Sequence, residues 1–82
     1  MLDEKTRELV AIGAAITANC QPCLEYHAAK AREFDVDDED ILEAVKVGQQ
    51  VRRGASAKMD RFAAQQVSAQ DEPPPPAGCE CR

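Results

Sequence analysis

The sequence predicts an all-α fold of four short helices followed by a proline-rich tail. Three observations carry that reading. Apolar residues recur at helical spacing through most of the chain, no stretch alternates with β-branched residues as a strand would, and helix-breaking or capping residues fall between the periodic segments.

The first helix is expected from about Asp3 to Ala18. Asp3 and Glu4 suit a first turn, and Leu9, Ile12 and Ile16 share a face. Gly13, Ala14, Ala15 and Ala18 add little bulk, so a neighbouring helix can approach closely. The second helix is expected from Asn19 or Cys20 to about Arg32 or Phe34, capped by Asn19, with Pro22 in the first turn, where its missing N–H costs little. Phe34-Asp35-Val36 reads as a short connection that tucks two apolar residues inward. Asp37 and Asp40 then form a weak capping box for a third helix over 38–52, whose stripe is Ile41, Leu42, Val45, Gly48 and Val51 or Arg52. Gly54 is placed to terminate it. A fourth helix over 55–69 would present Met59, Phe62, Ala63 and Val67, as core or subunit contacts. Beyond Gln70, four consecutive prolines predict an extended, exposed spacer.

With 82 residues the chain is long enough for one domain, expected over 1–70, with a flexible tail over 71–82 that carries Cys79 and Cys81. Its 44% apolar content is largely alanine, so large core side chains are few. Domains this small bury a low fraction of their surface, and association of subunits is expected to complete the core. A net charge of -5 argues against attraction to a nucleic acid backbone; Arg52, Arg53, Lys58 and Arg61 read as a solvated face. The most apolar run, Leu9 to Ala18, is about ten residues against the roughly twenty a membrane span needs. The mixed charges of MLDEKTRE are unlike a leader peptide, so a cytoplasmic location is expected.

The chemistry lies in Asn-Cys-Gln-Pro-Cys-Leu-Glu-Tyr-His, residues 19–27. Cys20, Cys23, Leu24 and His27 fall at i, i+3, i+4 and i+7, so two thiols and an imidazole share one side of a helix start. A thiol there faces unpaired N–H groups and the positive end of the helix dipole, which favour the thiolate. A second thiol one turn away resolves a sulfenic acid or mixed disulfide on the first, and a nearby imidazole moves the proton. The same residues admit a second chemistry. Cys20, Cys23 and His27 supply three zinc ligands, and a thiol of the tail pair Cys79 and Cys81 would complete a four-coordinate shell, although three ligands on one helix converge poorly on a tetrahedral ion. A disulfide framework of the secreted type would tie distant segments, whereas these cysteines lie in two local pairs.

The segment from Glu8 to Ala55 closely resembles the carboxymuconolactone decarboxylase family in its alkylhydroperoxidase (AhpD-like) branch. The likeness rests on Glu8, then Cys20 twelve residues on, then Cys23 and His27, and an acid-capped helix with Ile41, Glu43, Ala44 and Gly48. It implies an all-α homo-oligomer that reduces hydroperoxides through its cysteine pair, needs no cofactor, and is reset by an external dithiol or a protein-bound lipoyl group. It also implies roles: Cys23 as the peroxidatic cysteine, Cys20 as the resolving one, Glu8 and His27 as a proton relay. Thioredoxin-like reasoning gives the opposite thiol order, because there the N-terminal thiol attacks. Lactone decarboxylation is not expected, since the decarboxylase branch lacks the pair. General thiol–disulfide exchange and a non-enzymatic metal-binding or redox-sensing module are the competing readings.

Glu8 poses a geometric problem for that relay. Twelve helical residues rise about 18 Å while His27 lies about 10 Å along the second helix, which leaves roughly 8 Å between them in a simple hairpin. Steep crossing near Gly13, a loop around Asn19 that absorbs residues, or a bridging water would each close it.

Overall fold

The structure is a computed structural model and describes residues 1–67. Three helices follow one another: α1 (Glu4–Thr17), α2 (Gln21–Glu33) and α3 (Asp38–Gln66). The all-α expectation holds and the count of four does not. The tail with Cys79 and Cys81, and the end of the expected fourth helix, lie outside the described residues.

The expected third and fourth helices are one. α3 runs unbroken through Gly54, whose φ is not positive and where a Cβ would meet nothing within 4 Å beyond its chain neighbours and its own helix backbone. A single interior glycine costs about 1 kcal/mol relative to alanine. Arg52, Arg53, Ala55, Ala57, Lys58 and Met59 around it are strong helix formers, so continuing the ladder outweighs a break. Arg52 and Arg53 consequently lie mid-helix and do not neutralise a C-terminus.

Asp3 caps α1, its Oδ1 accepting the Thr6 N–H at 2.8 Å. The turn into α2 differs from expectation by one residue. Cys20, not Asn19, is the N-cap, and Asn19 takes a left-handed conformation (φ 58°) that reverses the chain. At the second turn Asp35 does the same (φ 65°), and the exposed Arg32 Nε–Asp38 Oδ1 pair at 3.1 Å links the flanking helices. Within α3's first turn the Asp40 N–H closes on the Asp37 backbone carbonyl at 3.0 Å.

Residues Met1–Arg52 form one compact unit and the chain from Arg53 a second. In the first, Ile12 and Ala31 are fully buried, Val36 and Ile41 nearly so, and Leu9, Leu24, Ala44 and Val45 pack against them. This core joins all three helices. α1 and α3 meet backbone to backbone at Gly48, where a Cβ would stand 2.6 Å from the Gly13 carbonyl oxygen. The Thr17 hydroxyl lies 2.9 Å from the Gly13 carbonyl oxygen and 3.2 Å from that of Gly48, so its one proton is shared across the contact. In the second unit Met59 and Phe62 are more than half exposed.

Candidate redox site

Cys20 and Cys23 are joined by a disulfide, with Cα atoms 5.2 Å apart. Local structure brings them together: with Cys20 at the cap and Pro22 fixing φ in the first turn, three residues of helix return Cys23 to the cap side chain. The Cys23 N–H donates to Cys20 Sγ at 3.3 Å, so sulfur occupies the place a serine or aspartate oxygen takes in an ordinary N-cap. Cys23 is exposed and Cys20 half-buried.

His27 lies one turn beyond Cys23 on α2, and its Nδ1 is 2.7 Å from Glu8 Oε1 on α1. The contact is direct, and the 8 Å gap closes because residues 18–20 leave the helical path. From Glu8 to the end of α1 is about 13.5 Å and from the start of α2 to His27 about 9 Å, a difference the two side chains span. Both groups are shielded, at 17% exposure for the Glu8 side chain and 30% for His27. Tyr26 sets its ring edge-on to the imidazole, centroids 5.0 Å apart. A carboxylate only accepts, so the proton of a neutral His27 sits on Nδ1 and the Nε2 lone pair is left to take a proton from a thiol. The carboxylate therefore orients an imidazole that lies one turn from Cys23 along α2.

Of the sequence-derived candidates, Cys20 is paired with Cys23 and Glu8 with His27, and His27 follows Cys23 by one turn along α2, while Cys79 and Cys81 lie outside the described residues. Among the described residues no group of three His, Cys, Asp or Glu side chains is arranged to hold a metal ion. No described helix is long and apolar enough to cross a membrane.

Arg52 was read as part of a solvated face, and the structure places it at the site. Its Nη1 donates to the Ile16 carbonyl at 3.0 Å and to Asn19 Oδ1 at 2.7 Å, tying α3 to the turn that carries Cys20. The signal was in the spacing: Ile41, Val45, Gly48 and Arg52 share a helical face, so the guanidinium comes off the packed stripe. Beside it lies a cleft of about 210 Å³ lined by Ala15, Ile16, Asn19, Cys20, Gln21, Leu24 and Arg52.

Two curated relatives match. One, described as uncharacterized protein 4 in the cox locus of Paracoccus denitrificans, is 36% identical over 55 residues, 67% of this chain and 50% of that protein. The other, an uncharacterized protein of Haemophilus influenzae, is 48% identical over 31 residues, 38% of this chain and 27% of that protein. The matched segments thus span half or less of the relatives' own length. No solved structure matches. A family model described as the carboxymuconolactone decarboxylase family matches residues 1–66.

Proposed function

The chain belongs to the carboxymuconolactone decarboxylase family, and from that premise we propose that it is a thiol-dependent hydroperoxide reductase of the alkylhydroperoxidase (AhpD-like) branch. The observation that carries the reading is the direct Glu8–His27 contact one turn from the cysteine pair. A disulfide alone serves many purposes. A disulfide with a carboxylate-oriented base beside it suits a reaction that moves protons as well as electrons.

In the reduced protein His27 Nε2 takes the Cys23 proton. The thiolate attacks one oxygen of the hydroperoxide, the O–O bond breaks, and the alcohol or water leaves with the proton that His27 returns. Cys23 is then a sulfenic acid. Cys20 attacks that sulfur, water leaves, and the disulfide closes. The exposure of Cys23 and its place next to His27 support it as the attacking thiol, and the sheltered N-cap position of Cys20 supports it as the resolving one. An external dithiol, free or as a protein-bound lipoyl group, restores the thiols. The reading includes a cytoplasmic homo-oligomer with no cofactor and no nucleic acid partner.

A second reading, general thiol–disulfide exchange, is favoured by one observation: the backbone N–H on Cys20 Sγ stabilises a thiolate there, the order a thioredoxin-like exchanger uses. Stopped-flow oxidation of the reduced, metal-free protein by hydrogen peroxide and an organic hydroperoxide separates the two, with C20S and C23S followed by mass spectrometry. Fast oxidation that persists in C20S as a trapped sulfenic acid and vanishes in C23S is expected. Oxidation no faster than that of a free thiol in all three proteins would leave exchange as the activity.

A further inference from the structure

The two sulfurs of the disulfide look onto different surroundings. Cys23 is exposed on the helix side that carries His27, while Cys20 lines the cleft between the end of α1, the start of α2 and Arg52. That cleft takes apolar surface from Ala15, Ile16 and Leu24 and neutral polar groups from Asn19 and Gln21, and Arg52 is its one charged lining residue. Arg52 has no carboxylate within ion-pair distance among the described residues. The contacts the structure gives it use Nη1 alone, on a carbonyl and an amide oxygen, both neutral. The guanidinium thus keeps further N–H donors beside a cleft that Cys20 also lines.

We infer that this cleft is the entry port of the reductant, that the reducing thiol attacks Cys20, and that Arg52 selects thiols that carry an anionic group. The inference deepens the redox cycle proposed above and rests on it. A thiolate RS⁻ attacks Cys20 Sγ along the cleft and forms an R–S–S–Cys20 mixed disulfide. His27 Nε2 takes the proton that the attacking thiol gives up, the electron pair of the Cys20–Cys23 bond goes to Cys23 Sγ, and Cys23 leaves as thiolate and receives that proton from His27. A second thiolate, or the second thiol of a dithiol, attacks the outer sulfur, gives RSSR, and releases Cys20, which is protonated from solvent. Two thiols are oxidised to one disulfide and the protein pair gains two electrons and two protons.

The competing direction, attack on Cys23, has the backbone N–H of Cys23 to stabilise departing Cys20. A neutral donor stabilises a departing thiolate less than a cationic, transferable proton does, so the chemistry and the cleft agree on Cys20. Arg52 acts on this step in two ways. Its charge concentrates an anionic thiol at the cleft, and its hydrogen bonds hold the Asn19 turn from which Cys20 is presented.

The test uses no peroxide, so failure of the peroxidase reading and failure of this inference are separate events. The oxidised full-length protein is mixed with mercaptoethanesulfonate, mercaptoethanol or cysteamine, and reduction rates are expressed per thiolate. Alkylation quenching and tandem mass spectrometry locate the first mixed disulfide in the wild type. The expected adduct is on Cys20, and the anionic thiol should outpace the neutral one by about 5-fold or more, with the cationic thiol slowest. The anionic-to-neutral ratio should fall toward unity in Arg52→Gln and at high salt, and be largely kept in Arg52→Lys. An adduct on Cys23, or a ratio that salt and Arg52→Gln leave unchanged, would overturn the inference. The adduct position and the salt series in the wild type decide the matter even if Arg52→Gln loosens the turn.

Discussion

Glu8 on α1 and His27 on α2 meet at 2.7 Å, the one side-chain hydrogen bond between the first two helices among the described residues. The contact orients the imidazole before any substrate arrives, and that fixes what its loss should do. Glu8→Gln keeps the size of the side chain, but its amide can turn its NH2 toward Nδ1 and move the ring proton to Nε2, the wrong tautomer for a base. Proton transfer by a positioned side chain contributes about 100-fold or more to rate, so Glu8→Gln should slow thiol oxidation by hydroperoxide by roughly 10- to 100-fold. His27→Ala should be at least as slow. Stopped-flow measurement of sulfenic acid formation in a C20S background checks both, and unaltered rates would remove the pair from the mechanism.

Gly48 sits under the carbonyl of Gly13, and the two glycines should respond oppositely to alanine. A Cβ on Gly48 would fall 2.6 Å from a backbone oxygen and 2.8 Å from Ile16 Cβ, neither of which can swing away. Overpacking of this kind costs about 1–3 kcal/mol, and the helices must part at the point that Thr17 and Arg52 bridge. A Cβ on Gly13 meets only Ala44 O at 3.5 Å, an ordinary contact. Gly13→Ala should therefore be neutral or stabilise by up to about 1 kcal/mol through helix propensity. Urea unfolding followed by circular dichroism measures both.

What the sequence disclosed and what it concealed follow from the range of each interaction. The redox turn was legible because its geometry is local: Cys20, Pro22, Cys23 and His27 are set by one helix start. Glu8 was found by resemblance, since its meeting with His27 depends on how many residues the Asn19 turn takes out of the helix. The break assigned at Gly54 was a local rule that helix formers on both sides overrode. Arg52 was misread because charge normally marks solvent, although it falls on the packed stripe of Ile41, Val45 and Gly48, and its partners are the Ile16 carbonyl and the Asn19 side chain. Met59 and Phe62 follow a helical stripe as a core residue would, yet both are exposed in the described chain, because spacing reports a face and not what covers it.

The cap of α1 gives a pH dependence of stability with a definite sign. A hydrogen bond from the Thr6 side chain, and then the Thr6 backbone N–H, hold the Asp3 carboxyl below its ordinary value. Because the folded value lies below the unfolded one, the cap's contribution is present above the ordinary carboxylate range and is lost as pH falls through the lowered value. Asp3→Asn keeps an oxygen acceptor and removes the titration. The difference in melting temperature between wild type and Asp3→Asn should therefore be larger at neutral pH than in strong acid. A difference that stays constant between the two pH values would show that the charge on Asp3 plays no part.

The continuity of α3 can be tested at the residue that suggested a break. If Gly54 ended a helix at C′ it would take a left-handed conformation, and alanine there would be strained. In the continuous helix its φ is not positive and its surroundings are open, so Gly54→Ala adds a methyl group at no steric cost and removes freedom from the unfolded chain. The expected result is stabilisation by about 0.5–1 kcal/mol, read from urea unfolding. Amide hydrogen exchange gives an independent view, because the N–H groups of residues 55–58 bond to carbonyls 51–54 only if the helix runs through. Those amides should be protected in the wild type and more so in Gly54→Ala. Destabilisation together with fast exchange at residues 55–58 would restore a two-helix account of this segment.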